Sequence, residues 1–291
     1  AATKAYVDLV FKSSLDVSAF LTDAQEAAEL AQSAAEEAVT LVDVLSKPKD
    51  VQDALAHKGI LVVINGQSNA LGANAGGLNP ASPLVKTWDG VTETWGSSDY
   101  TELPWTRGSP HGNAGNNNIG LALAHRLADE TGRPVFLVLD GTGGTPIEAW
   151  VANGVASVRY AALKAKVEAA LASPEVVNAN VTKVDVFLWA QGEENALTAL
   201  HTPYRDMFST LSTQLRAETW MPKETPMLVF GMSGLHQRYQ IGEAQRDFCE
   251  NSNSNCTFVN ASGLQTAFDA SGGADYTHWL GASLWTLGYE R

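Results

Sequence analysis

The sequence predicts an α/β protein built on a mostly parallel sheet with helices on both faces, preceded by a separate helical segment. Three observations lead there. Short apolar, β-branched runs recur at residues 60–64, 134–139, 184–189, 227–230 and 257–259. Each has strand length and is mostly apolar, as strands buried on both faces are. Helical patterns separate them, at about residues 118–130, 158–171, 204–217 and 243–251, with a last one at about 279–288. Strand-helix alternation of this kind specifies parallel pairing with crossover helices. Finally, 291 residues of which 45% are hydrophobic suffice to bury a large core.

The chain opens on Ala1-Ala2-Thr3-Lys4-Ala5-Tyr6, without an initiating Met or the apolar stretch of a signal peptide, and reads as a fragment or a processed product. From about residue 19 to 46 the composition is strongly helical. Phe20, Ala24, Ala27, Ala31, Ala34, Ala38, Leu41 and Leu45 step by alternating fours and threes, a heptad seam. Leu21, Ala28, Ala35 and Val42 widen it, and Glu26, Glu29, Glu36 and Glu37 lie off it. This predicts a coiled coil or helical stalk over residues 1–57, gaining stability from self-association as a homotrimer. The alternative is one amphipathic helix folded onto the body. Pro48 marks a helix boundary.

The first strand runs into Gly66-Gln67-Ser68-Asn69-Ala70, a tight turn at a strand's carboxyl end, where open α/β sheets bind ligands. A serine there can act as a nucleophile if a base reaches it. The insert at residues 72–117, rich in Gly, Asn, Pro and Trp, shows no periodicity and reads as a long binding rim. A second polar cluster, Gly141-Thr142-Gly143-Gly144-Thr145-Pro146-Ile147-Glu148-Ala149-Trp150, follows the second strand. A third, Gln191-Gly192-Glu193-Glu194-Asn195, follows the next. Near the C-terminus stands Asp275-Tyr276-Thr277-His278. Taken singly each is an ordinary turn; their order, each after a successive strand, is specific.

Composition excludes several classes. The formal charge of −13 disfavours nucleic acid and anionic membrane surfaces as partners. No apolar run approaches the roughly 20 residues of a membrane span. Cys249 and Cys256 bracket a short polar loop; they are either unrelated thiols or a loop-closing disulfide, which would imply an oxidising setting. Two thiols do not close a zinc site, and neither metal nor cofactor is expected.

These four blocks resemble those of the SGNH (GDSL-like) hydrolase superfamily, in its sialate O-acetylesterase and acetyl-xylan-esterase-like branch. That branch is typified by GQSN, GGT-I-E-W, W-x-Q-G-E and D-x-x-H, matched here over about residues 58–291. The resemblance implies a flavodoxin-like three-layer α/β/α fold with a central parallel sheet of about five strands. It also implies ester hydrolysis without a metal. Carried over, Ser68 is the nucleophile, His278 the base and Asp275 the residue that orients it, in the logic of hydrolase triads. The backbone N–H groups of Ser68 and Gly143 and the amide of Gln191 would hold the oxyanion. Gly144 is the alternative to Gly143, and Asn195 to Gln191. Glu193 would orient Gln191, bond the turn, or position His278. A single loop is expected to deliver both Asp275 and His278.

Other histidines stay open as the base: His111 and His236 lie in polar loops, whereas His125 sits in a helical pattern. Cys249, at a helix end beside Phe248, is rejected as a nucleophile. Of eight tryptophans, Trp105 falls in the long insert and Trp150 and Trp279 beside motif blocks, where they would stack on a sugar ring. The expected substrate is an acetylated carbohydrate, a polysaccharide or sialic-acid-like sugar. The N-terminal segment resembles bacteriophage tail-fibre pieces, which implies an extracellular or virion-associated deacetylase. A secreted acetyl-xylan esterase and a non-catalytic carbohydrate-binding fibre module are the alternatives.

Overall fold

The computed structural model describes residues 59–72, 82–90, 92–97, 118–152, 155–197, 201–232, 239–252, 254–268 and 274–291. The contacts divide the chain between Ala56 and His57. The expected coiled coil over residues 1–57 lies outside the described residues, as do Trp105, His111 and His236.

The first strand, β1 (Ile60–Gly66), is buried along its whole length. Its side chains alternate between two cores. Leu61 and Val63 join one; Ile60, Val62 and Ile64 join the other. A strand with apolar neighbours on both faces must itself be apolar throughout, which is why its sequence shows no alternation. It pairs in parallel with β4 (Val135–Gly141) on one side and β7 (Val186–Ala190) on the other. Beyond β7 follow β8 (Met227–Phe230) and β9 (Cys256–Val259), again parallel. All five expected strands are therefore present.

Among the described residues the sheet has seven strands, however, in the order β3-β2-β4-β1-β7-β8-β9. The two additional ones, β2 (Val85–Asp89) and β3 (Thr94–Ser97), come from the insert read as a rim. Here β2 runs parallel to β4, and β3 turns back antiparallel at the edge. They are short and interrupted by polar residues, so their periodicity is invisible in sequence. Packing decides instead: Trp88 lies against Trp95 at 5.0 Å, and Trp95 meets Phe136 edge-on at 5.0 Å.

Helices cover both faces. On one lie α3 (Val158–Ala172), α4 (Pro174–Asn178), α5 (His201–Arg216) and α6 (Tyr239–Asn251). They contribute Leu163, Val167, Val176, Phe208, Leu211, Ile241 and Phe248 to a shared core. The other face carries α1 (Ser68–Leu71) and α2 (Ile119–Thr131), which bury Leu71, Ile119, Leu121 and Ala124. Each fully buried aliphatic side chain is worth about 1.5–3 kcal/mol. Asn118 caps α2, accepting from the N–H groups of Gly120 and Leu121, and donates to the Ala70 carbonyl. The cap thus ties α2 to the turn that carries Ser68.

The C-terminal segment departs from the single expected helix. Two short hairpins stand outside the main sheet: β5 (Val151–Ala152) with β6 (Val155–Ala156), and β10 (Thr266–Phe268) with β11 (Ala274–Trp279). Trp279 ends β11, and the helix α7 begins only at Gly281, running to Trp285 before a π-helical turn, Thr286–Glu290. Cys249 and Cys256 form a disulfide, Cα–Cα 4.8 Å, that closes the loop between α6 and β9. Closing a loop this short removes freedom from the unfolded chain worth about 2 kcal/mol.

Candidate active site

Chain order reverses at β1: β4, reached after β2, lies to one side and β7 to the other. The crevice outside the carboxyl end of such a strand is where ligands bind in open α/β sheets. Gly66-Gln67-Ser68 sits there. Gly66 has φ +146, and a Cβ at this position would lie 2.0 Å from the Ala190 carbonyl oxygen. Only glycine lets β1 turn so tightly against β7.

Hydrogen bonds interlock the turns that follow β1, β4 and β7. Gln67 N–H donates to Ala190 O at 3.0 Å, and Thr142 N–H donates to Gly66 O at 3.0 Å. The Gln67 side-chain oxygen accepts from the N–H groups of Gly192 and Glu194, each at 3.3 Å. Asn195 Oδ1 accepts from Ile147 N–H at 2.8 Å and from Gln191 Nε2 at 2.7 Å; its own amide donates to Glu148 Oε2 at 2.8 Å. The GQSN, GGT and QGE blocks are thereby one hydrogen-bonded unit.

The fourth block joins through Asn69. Its Nδ2 donates to Glu193 Oε1 at 2.6 Å and to Thr277 O at 2.9 Å, and its Oδ1 accepts from Trp279 N–H at 3.0 Å. These bonds grip the backbone on both sides of His278 from the residue next to Ser68. Asn69 and Glu193 are almost wholly buried, so the grip is shielded from water.

Asp275 and His278 lie on a strand rather than the expected loop, and the strand is distorted. Thr266 pairs with Trp279 and Phe268 with Ala274, so β11 spends five steps where β10 spends two. In a regular strand, side chains three apart face opposite ways. The bulge cancels that rule. Asp275 Oδ1 accepts from the N–H groups of Thr277 and His278, at 2.9 and 3.2 Å, which curls the chain. Its Oδ2 then meets His278 Nδ1 at 2.6 Å. A carboxylate only accepts, so this contact assigns the imidazole proton to Nδ1 and leaves Nε2 as the basic nitrogen.

Several expected roles change. Gln191 Nε2 faces Asn195 Oδ1, the Thr145 carbonyl at 3.2 Å and Gln67 Oε1 at 3.3 Å. An amide nitrogen has two hydrogens, so Gln191 is committed to holding the turns together rather than to an oxyanion. Its oxygen is held in turn by the Tyr204 hydroxyl at 2.8 Å. Burial pushes the Tyr204 phenol well above its usual range, keeping it protonated as a donor. Asn195, the substitute donor, gives one amide hydrogen to Glu148 and holds Ile147 and Gln191 through its oxygen. Glu193 acts on the His278 strand, through Asn69. Gly143 lies in the turn after β4, with its carbonyl accepting from Thr145 Oγ1 at 3.3 Å; Gly144 beside it is exposed at φ +59.

The sugar-stacking role of Trp150 and Trp279 falls away. Trp150 is 0% exposed, packed edge-on against Trp189 at 5.2 Å, and Trp279 is 2% exposed within the second core. A ring with no open face cannot stack on a ligand. His125 is buried in α2, 5.6 Å from Trp285. Sequence reasoning passed over Asn69 and Gln67, although both flank the serine in its block. Tyr204 and Gln245, which donates to Gln191 O at 2.6 Å, carry no local signal at all. Among the described residues, no cluster of His, Cys, Asp and Glu is placed to hold a metal ion.

A family model described as carbohydrate esterase, sialic acid-specific acetylesterase, matches residues 58–289. No protein of curated function matches the chain. Among solved structures, a protein from Arabidopsis thaliana is similar at TM-score 0.62 and 17% identity, over 80% of this chain and 95% of that one. The structure of NanS is similar at TM-score 0.55 and 15% identity, over 80% and 94%. A carbohydrate acetylesterase from Xanthomonas citri follows at 0.52 and 18%, over 80% of this chain and 57% of that one. At these identities the three show a shared fold.

Proposed function

This chain belongs to the sialic acid-specific acetylesterase family of carbohydrate esterases, and we propose that it is a serine esterase releasing acetate from an O-acetylated sugar through Ser68, His278 and Asp275. The observation that carries the reading is the Asn69 grip, which brings the strand of His278 to the turn of Ser68.

In the reaction, His278 Nε2 takes the Ser68 hydroxyl proton as Oγ attacks the acetyl carbonyl carbon. The carbonyl π electrons move onto its oxygen, where the backbone N–H groups of Ser68 and Gly143 stabilise the charge. Collapse of this intermediate breaks the bond to the sugar oxygen, which leaves as an alcohol carrying the proton from His278. Water, deprotonated by the same nitrogen, then attacks the acetyl-Ser68 ester, and acetate departs as Ser68 regains its proton. Asp275 holds the ring through Nδ1 and stabilises the imidazolium in both halves.

A finer reading follows from the N-terminal sequence. Its heptad seam and tail-fibre likeness support a virion-borne deacetylase acting on a bacterial surface polysaccharide as a trimer. The Cys249–Cys256 disulfide supports an extracellular setting. The test is acetate release from a panel of acetylated polysaccharides and acetylated sialic acid, with wild type and Ser68→Ala. Turnover of wild type on sugar acetates, lost in Ser68→Ala, is the expected outcome; equal turnover by both would overturn the assignment. Preference for long acyl chains would move it to a lipase. Light scattering of the full chain decides the assembly, and a monomer would end the trimer reading.

A further inference from the structure

The two buried tryptophans leave open which ring would receive the sugar. Of the large hydrophobic residues that are exposed among the described ones (Val158, Val177, Tyr239 and Tyr276), Tyr276 alone belongs to a motif block. It lies between Asp275 and His278 and is 58% exposed, whereas the side chains of Asp275 and His278 are 12% and 15% exposed. The bulge in β11 accounts for this contrast. Five steps opposed to two force the extra residues off the ladder, and the Asp275 carboxylate curls the chain so that Asp275 and His278 meet. Of the two residues between them, Tyr276 is exposed and Thr277 is half-buried. Two residues of chain span at most about 7 Å, so the Tyr276 backbone lies within the length of one sugar ring of His278.

We propose that Tyr276 is the specificity-determining residue for the sugar: its ring forms an aromatic face on which the pyranose bearing the acetyl group rests. The inference builds on the esterase reading and deepens it. A tyrosine suits the task, since it offers apolar area at low entropic cost and keeps a polar edge in water. With a formal charge of −13 on the chain, an uncharged ring face also recognises a neutral sugar without electrostatic attraction. Because such a contact is the same in the ground state and in the transition state, its loss shows in KM rather than in kcat.

The experiment compares Tyr276→Ala, Tyr276→Phe and Tyr276→Trp with wild type on acetylated xylo-oligosaccharide, O-acetylated sialic acid and 4-nitrophenyl acetate, an ester with no sugar. For the preferred sugar ester, Tyr276→Ala is expected to raise KM about tenfold with kcat within about twofold, the loss of one aromatic contact. The ratio of kcat/KM between the sugar ester and 4-nitrophenyl acetate falls accordingly, and Phe and Trp restore it. A ratio unchanged in Tyr276→Ala overturns the inference while leaving the esterase reading intact. A fall in kcat on both substrates alike also overturns it, because Tyr276 would then act on His278 and not on the sugar. Wild type that cleaves 4-nitrophenyl acetate but no sugar ester overturns both.

Discussion

The backbone N–H of Trp279 donates to the Asn69 side-chain oxygen at 3.0 Å, across 210 positions of chain. With the Asn69 amide on Thr277 O, this one side chain satisfies backbone groups before and after His278. Its second hydrogen goes to Glu193, which belongs to the turn after β7. A change of rotamer at Asn69 would break three bonds at once, so the relation between the serine turn and the His278 strand is rigid.

Asn69→Ala removes all three bonds and leaves a buried carboxylate and two backbone groups to find other partners. We expect a loss of about 2–4 kcal/mol of stability, together with a fall in kcat at temperatures where the protein remains folded. Denaturant unfolding and single-turnover acetate release check both. Unchanged kcat in the folded variant would mean that the His278 strand holds its place without Asn69.

Glu193→Gln keeps an oxygen that can accept from Asn69 while deleting the charge. The stability change is expected to stay within about 1 kcal/mol, far milder than for Asn69→Ala. A loss comparable to Asn69→Ala, read from the urea midpoint, would show that the carboxylate charge itself matters.

Asp275→Asn disturbs the assignment of the proton to His278 Nδ1 without changing shape. The expected fall in kcat is on the order of 10³–10⁴, with KM little altered. Steady-state kinetics on the best sugar acetate provides the measurement; a fall of less than about tenfold would remove Asp275 from the mechanism.

Two glycines should respond very differently to alanine. At Gly66 the new methyl would collide with backbone at 2.0 Å, in a conformation at φ +146. The expected cost is at least about 3 kcal/mol, read as loss of soluble protein or a large drop in Tm. Gly144, at φ +59, has nothing within 4 Å of its would-be Cβ. There only the left-handed backbone is penalised, at about 1–2 kcal/mol.

Burial holds the His125 imidazole below its usual value of 6.5, against a smaller opposing pull from Asp129. The unfolded chain therefore binds the proton more readily than the folded one. Stability from this site is complete above about pH 6.5 and is lost as pH falls toward the lowered folded value. Tm measured from pH 7.5 to 5 should decline less steeply in His125→Gln than in wild type. Parallel slopes would place the acid sensitivity elsewhere.

Much of this protein was readable in its residues alone. Strands buried on both faces are apolar along most of their length, so β1, β4 and β7 at the middle of the sheet could be located. Three of the four chemical blocks follow a strand because the carboxyl ends of parallel strands are where an α/β sheet leaves room for ligands. The periodicity of local sequence does not, however, record what a side chain meets across the fold. The edge strands β2 and β3 depend on Trp88, Trp95 and Phe136 packing together. Trp150 and Trp279 are core residues because the sheet's helices and hairpins close over them, although neighbouring motifs suggested a rim. The commitment of Gln191 to the interior follows from Tyr204 and Asn195, and the meeting of Asp275 with His278 requires a bulge that no spacing rule encodes. Sequence alone determined which groups could do the chemistry, because residue type and strand period are local. Tertiary structure decided which are free to do it, because each hydrogen bond is shared between partners far apart in the chain.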